Sequence, residues 1–468
     1  MIKQIATLLS VIISLSVFSQ NVIITGKAEQ QPQQLVRIIS YADEFSNLEK
    51  TIAQTETDTE GNFSLQFEIN QTQFAFLALG LEKGEFYLSP GSSYNIIIPL
   101  DTSESRGSIF DRLPLRFIIS ADDGGVQQSI EDFNIEYNDF IFNNINSIYR
   151  SRDKSVVTQF VDAIKEKYSN NSSGFVKNYV DYSLASLLWL SKKENNQKIL
   201  LNYFINKPVF YNNIQYADFF KEFFKDYFNS ENTFRYEALI PAINNPKTID
   251  VVDELLISDT LLADDNRVRE IVVMLLFSRY YHDRNVMKDR VIAKYNEIAE
   301  RSKFIENRKM AQNFIVKLQN LQSGTIAPDF NLADINDSNV SLKDLNNKFL
   351  MLSFVKEDCK ICEFHMKLIS DIQKQNGNSF NIVTIVAGDE ISKLGEFANQ
   401  RGFNWPILKT GKDLLLLEEY DIRAYPSYIL INPDGTIAYA NLPMPDENME
   451  LFINRFMDRY NNQEKDNY

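Results

Sequence analysis

Cys359 and Cys362 are the only two cysteines in a chain of 468 residues, and they form one motif, Cys359-Lys360-Ile361-Cys362. At the start of a helix such a pair can cycle between dithiol and disulfide. The thiolate of the first Cys is stabilised there by unpaired backbone N–H groups and the positive end of the helix dipole. A static disulfide and half of a metal site have the same spacing. A structural zinc site wants four Cys or His ligands. This chain holds two Cys and two His, and His282 lies far from the pair in sequence. His365 as a third ligand leaves no fourth. Haem attachment needs His directly after the second Cys, and Glu363 stands there. We therefore expect no metal and no cofactor, and His365 reads as a solvated or capping helix residue.

The surrounding elements must position the pair. Phe349 to Val355 is an apolar run bounded by polar residues, so it reads as a buried strand. Glu357-Asp358 lead into the motif, and Phe364, Leu368, Ile369 and Ile372 follow at helical spacing. Asn381 to Ala387 reads as a second buried strand and Ile391 to Asn399 as a helix. Tyr428 to Ile431, the turn Asn432-Pro433-Asp434-Gly435 and Thr436 to Tyr439 read as a hairpin. Two βα units followed by a hairpin give a mixed sheet with helices on its faces.

This segment, roughly Gly324 to Tyr460, resembles the thioredoxin superfamily, and within it the TlpA/ResA-like envelope thiol–disulfide oxidoreductases. Ala327-Pro328-Asp329-Phe330 looks like the family's opening strand, and Ser341 to Leu345 with Lys348 like the segment before its central strand. Tyr420 to Tyr428 looks like the family's loop before the hairpin, with Pro426 at the cis-proline position. The resemblance implies that Cys359 is the exposed attacking thiolate, that Cys362 resolves the mixed disulfide, and that Tyr425 and Pro426 shape the substrate contact. It also implies envelope protein thiols or disulfides as partners and a membrane thiol-electron transporter as reductant.

The chain departs from the family pattern at four places. Asp358 stands where Trp usually precedes the first Cys, and Ser353 holds the position of the buried thioredoxin carboxylate. His365 and Lys367 replace a frequent Glu and Pro after the second Cys. Glu357 and Asp358 disfavour a thiolate at Cys359, whereas Lys356, Lys360 and the helix dipole favour it. The resemblance implies an exported reductase, the common activity of this branch, while domain organisation by itself leaves the reductase, oxidase and isomerase directions open. A second reading is a non-enzymatic binding or scaffold protein whose Cys pair is a structural disulfide.

Residues 1–19 read as a secretory signal peptide: Lys3 supplies the positive start, Ile5 to Phe18 is mostly apolar, and Val17 and Ser19 flank the expected cut. No Cys lies near the cut for lipoprotein anchoring. The expected location is the periplasm, which permits disulfides. The net charge of −15 argues against nucleic acid or anionic lipid as the main partner.

The length exceeds one ordinary domain. Residues 20–120 carry strand-like runs separated by turn signals, and Phe63, Leu65 and Phe67 alternate with polar residues. This predicts a small β-sandwich. Residues 121–323 read as an all-α middle region. Only Gly174 of the 16 glycines falls between Val126 and Ser323, with Pro208, Pro241 and Pro246 as the prolines there, and these two residue types are what interrupt helices. Helical spacing covers Ser155 to Lys167, Val176 to Trp189, Ala217 to Tyr227, Val268 to Tyr281 and Val286 to Leu318. Residues 324–468 form the α/β thioredoxin-like part. All thiols lie in it, so the upstream parts are expected to be separable from the chemistry.

Overall fold

The computed structural model describes residues 20–100, 114–150, 154–230, 236–259, 262–345, 348–375, 380–411 and 414–466. The expected signal peptide lies outside them. The protein has a β-rich N-terminal region, a helical middle and a C-terminal thioredoxin-like domain.

The N-terminal region has eight strands: β1 (Gln20–Ala28), β2 (Leu35–Tyr41), β3 (Glu49–Glu56), β4 (Asn62–Ile69), β5 (Gln73–Leu79), β6 (Glu82–Leu88), β7 (Ser93–Ile98) and β8 (Ile118–Asp122). They form two four-stranded sheets, β4-β1-β7-β8 and β3-β2-β5-β6. The period-two pattern is visible in β4, where Phe63 and Leu65 turn inward and Ser64 and Gln66 outward. β1 runs between β4 and β7, and Gly26 is required there: a Cβ would stand 2.4 Å from the Ile96 carbonyl oxygen. The inner strands β2 and β5 of the second sheet are largely buried on both faces, whereas its edge strand β3 is not. Ala75, Leu77 and Phe86 join the sandwich core, whereas Phe74 and Tyr87 point into the core of the helical region.

That helical core is aromatic. Phe219, Phe220, Phe223 and Phe224 are all buried, and the Phe204 ring lies 5.1–5.7 Å from each of theirs. Burial of such rings at helical spacing is what holds the helices together. One expected helical stretch, Val286 to Leu318, is two helices, Lys288–Arg301 and Ile305–Gln319. Ser302 breaks it with ψ near 138°. Its hydroxyl donates to the Glu270 carboxylate at 2.6 Å and accepts the Phe304 N–H at 3.1 Å. Apolar spacing continues across the break because both helices face the same core, so periodicity could not reveal it.

The C-terminal domain contains β9 (Asn331–Asp334), β10 (Asn339–Ser341), β11 (Phe349–Val355), β12 (Phe380–Val386), β13 (Ile407–Lys409), β14 (Ser427–Ile431) and β15 (Ile437–Tyr439). They make one sheet in the order β10-β9-β13-β12-β11-β14-β15. β11 pairs parallel with β12 and antiparallel with β14. All seven residues of β11 are buried, because apolar clusters cover both faces of the sheet. Ala327 to Phe330 is not itself a strand. It is the extended approach to β9, tied to the hairpin by the Ala327 N–H donating to the Gly435 carbonyl. Among the described residues no helix is long and apolar enough to cross a membrane.

Candidate functional site

β11 delivers the chain to the Cys pair. After Val355 the backbone turns through Asp358 in the left-handed region, φ 57°, which Asp tolerates better than most residues. The helix Lys360–Gln375 then begins, with Cys359 immediately before it. The N–H of Cys362 donates to Cys359 Sγ at 3.2 Å, and the N–H of Glu363 donates to the Cys359 carbonyl at 3.1 Å. Cys359 therefore occupies the capping position, where the first-turn N–H of Cys362 points at its sulfur. The two sulfurs form a disulfide. Cys359 is half-buried, whereas Cys362 is 0% exposed and sits in the apolar core with Met366 and Tyr428.

The proline loop returns to this point. The Tyr425–Pro426 bond is cis, as the sequence led us to expect. Ser427 pairs with Phe354 in the β11–β14 ladder, so Pro426 lies at the end of β11 from which the Cys turn departs. Tyr425 and Cys359 pack against the same apolar cluster. The structure thus brings together Cys359, Cys362, Tyr425 and Pro426. Among the described residues no group of three or more His, Cys, Asp or Glu is arranged to hold a metal ion.

Two acids before the pair have a partner that the sequence reading missed. Lys393 Nζ lies 2.8 Å from both carboxylate oxygens of Asp358. This hydrogen-bonded pairing holds the Asp358 carboxyl below its usual range and the lysine above its own. The Lys393 N–H also donates to Glu357 at 2.8 Å. Lys393 lies in the first turn of the helix Ser392–Arg401, which has no side-chain cap of its own. Glu357 supplies that cap from outside. A cation in a first helical turn opposes the helix dipole, and that was the signal in the sequence for an acidic partner nearby.

His365 corrects an expectation. It is 2% exposed, not solvated or capping. It lies three residues after Cys362, on the inward face of the same helix, and its Nδ1 is 3.1 Å from the Tyr428 hydroxyl. Its Nε2 faces Asp446 Oδ1 at 3.5 Å. Burial pushes its pKa down, and this outweighs the opposite effect of Asp446 and Glu447. The helical period could have shown this, since His365 falls in step with Cys362, Ile369 and Ile372. The missed residue was Tyr428, which reads as an ordinary strand aromatic.

Residues 323–440 match the AhpC/TSA family. The chain is 28% identical over 127 residues to the thiol-disulfide oxidoreductase ResA of Bacillus thuringiensis, covering 27% of this chain and 73% of that protein. It is 28% identical over 120 residues to ResA of Bacillus subtilis, covering 25% of this chain and 66% of that one. Among solved structures, it is similar to the thioredoxin domain of a Bacteroides vulgatus thiol-disulfide oxidoreductase, with 22% identity, TM-score 0.27, and 29% and 97% of the two chains covered. A thioredoxin-like protein from Bacteroides caccae matches with 17% identity, TM-score 0.32, and coverage of 56% and 92%. The fold and the relatives define a thioredoxin-like oxidoreductase acting on thiols and disulfides. Its C-terminal domain is similar to the AhpC/TSA family and to the ResA proteins.

Proposed function

We propose that this is an exported reductase that exchanges disulfides with envelope proteins through Cys359 and Cys362. The observation that carries the reading is the asymmetry of the pair: one sulfur half-buried at a helix cap, the other wholly enclosed. In the reduced protein the Cys359 thiolate attacks a partner disulfide, and one partner sulfur leaves as a thiolate. Cys362 then attacks Cys359 Sγ, the mixed disulfide breaks, and the second partner sulfur leaves. The partner gains two electrons and the Cys359–Cys362 disulfide re-forms. A membrane thiol-electron transporter would reduce it again. Tyr425 and Pro426 would line the path of the partner chain. Export is supported by the charge and apolar pattern of residues 1–19.

Equilibration of the pair in glutathione buffers tests this. A reductase should titrate reversibly near the thioredoxin end of the known span, about −270 mV, and not near the oxidising end at about −120 mV. A potential at the oxidising end would reverse the direction. A pair that stays oxidised at every glutathione ratio would make the disulfide structural.

A further inference from the structure

Resting on the redox reading of the Cys pair, we propose that the cleft where the three parts of the chain meet holds an extended, acidic segment of the partner polypeptide while its disulfide reacts at Cys359. The cleft encloses about 1470 Å³. Small-molecule pockets run to about 1,000 Å³, so the space suits a stretch of chain better than a small ligand. Each part supplies a wall. The β-region contributes Glu49 and Lys83, the helical region Lys288 and Lys317, and the thioredoxin-like domain Glu418, Asp421 and Arg423. Asn47, Asn320, Gln322 and Asn441 also line it. Carboxamides both donate and accept, which is what the N–H and C=O groups of an extended backbone need.

The charges of the cleft do not cancel. Its three carboxylates are all taken. Glu49 meets Lys83 at 2.5 Å, Glu418 is held by Arg37 and Lys83, and Asp421 meets Arg423 at 2.7 Å. Two cations are left over. Lys288 opens the helix Lys288–Arg301, and its Nζ donates to the Gln322 side-chain oxygen at 3.2 Å. Lys317 lies in the last turn of Ile305–Gln319, and its Nζ donates to the Ser46 and Asn47 carbonyls at 2.6 and 3.3 Å. These partners are neutral, and among the described residues neither lysine forms an ion pair. Asp43 and Glu49 act on Lys317 only through space. Asp43 itself is engaged by Ser46 and Asn313. In a chain of net charge −15, two lysines without carboxylate partners inside one cleft mark a place for a negative group from outside.

The cleft runs up to the redox site. Arg423 is two residues before Tyr425, so along the chain this wall ends within about 7 Å of the loop that meets the Cys pair. Tyr439 lines the cleft and packs on the same apolar cluster as Cys359 and Tyr425. A partner with its disulfide at Cys359 can thus pass its flanking chain by the proline loop and into the cleft. The upstream parts then select the substrate and take no part in the chemistry.

The test uses reduced full-length protein and a peptide whose single cysteine is joined by a disulfide to an aromatic chromophore. Three versions are compared: an acidic tail of about ten residues, spanning about 33 Å when extended, a neutral Gly/Ser tail of the same length, and no tail. In single turnover the acidic version should half-saturate at a concentration about threefold to tenfold lower than the neutral one. The limiting rate should be the same for all three. Lys288→Glu, at an exposed position, should abolish the acidic advantage and leave the other two substrates unchanged. Added salt should shrink it as well. A fluorescent, cysteine-free acidic peptide should bind the oxidised wild-type protein, read by anisotropy, and bind Lys288→Glu at least about threefold more weakly. Equal half-saturation by acidic and neutral tails in wild type would overturn the proposal, as would an acidic advantage that survives Lys288→Glu. Binding of the cysteine-free peptide without release of chromophore from any version would defeat the redox reading and leave the cleft site standing. Release without acidic preference or peptide binding would do the reverse.

Discussion

The backbone N–H of Cys362 points at the sulfur of Cys359 from 3.2 Å, so the first cysteine caps the very helix that encloses the second. One helix thereby creates two unlike thiols. The first-turn N–H groups and the dipole favour a thiolate on the accessible sulfur. The enclosed one meets only core side chains and its neighbours in the fold. In the reduced protein a small alkylating agent should label Cys359 at least about tenfold faster than Cys362 near neutral pH, as read by peptide mass mapping over time. Equal rates, or faster labelling of Cys362, would contradict the assigned roles.

If Cys359 is the attacking sulfur, its mixed disulfide can be released only by a second thiol. Cys362→Ser should therefore accumulate covalent adducts with exported proteins in cells. These should vanish on adding reductant and be absent from the double variant that also carries Cys359→Ser. Diagonal electrophoresis would show them, and their identity would define the substrate class. A clean monomer in the single variant would speak for a structural disulfide.

Lys393 is the group that relieves the acidic approach to the pair. It holds Asp358 on both carboxylate oxygens, next to Cys359. Lys393→Gln leaves that negative charge unopposed beside the sulfur, which disfavours the thiolate. Labelling of Cys359 near pH 7 should slow about threefold to tenfold, and the pH at half-maximal rate should rise. Adding Asp358→Asn should restore most of the rate, since the offending charge is then gone. A rate in Lys393→Gln equal to wild type would mean that solvent already screens Asp358.

How much of this was legible depends on what each feature leaves in one dimension. The Cys turn, the proline loop and the hairpin are local patterns, and the structure bears them out. The helical middle showed itself through its missing glycines. The break at Ser302 did not, because a serine bonded to Glu270, 32 residues away, leaves no mark on apolar spacing. His365 was misjudged for a related reason. A polar side chain on a helix reads as solvated until the partner that lets it be buried is known, and Tyr428 is 63 residues away. Lys393 came from a separate helix, 35 residues from Asp358.

The expectation that upstream parts are separable from the chemistry meets one specific contact. Arg37 of β2 reaches Glu418, with Nη1 at 2.7 Å from its carboxylate, and donates through Nη2 to the Gly80 carbonyl at 2.9 Å. Lys83 lies 3.4 Å from the same carboxylate. Glu418 belongs to the short helix Leu415–Glu419, which runs directly into the loop ending at Tyr425 and Pro426. The side chains of Arg37 and Glu418 are only 3% and 18% exposed, so the pair is shielded from solvent. Burial pushes Glu418 up, but Arg37 and Lys83 outweigh it and hold the carboxyl below its ordinary value. A carboxyl with a depressed folded pKa contributes stability that is fully present above its unfolded pKa and is lost as pH falls through its folded one. Arg37→Met should therefore destabilise the full chain near neutral pH by about 3 kcal/mol, the low end for breaking a buried pair because Lys83 remains. The gap between variant and wild type should narrow as the medium is acidified below the ordinary carboxylate range. Urea unfolding at neutral and at acid pH reads both numbers. An Arg37→Met protein as stable as wild type at neutral pH would show that the contact holds nothing, and would leave the thioredoxin-like domain free to work alone.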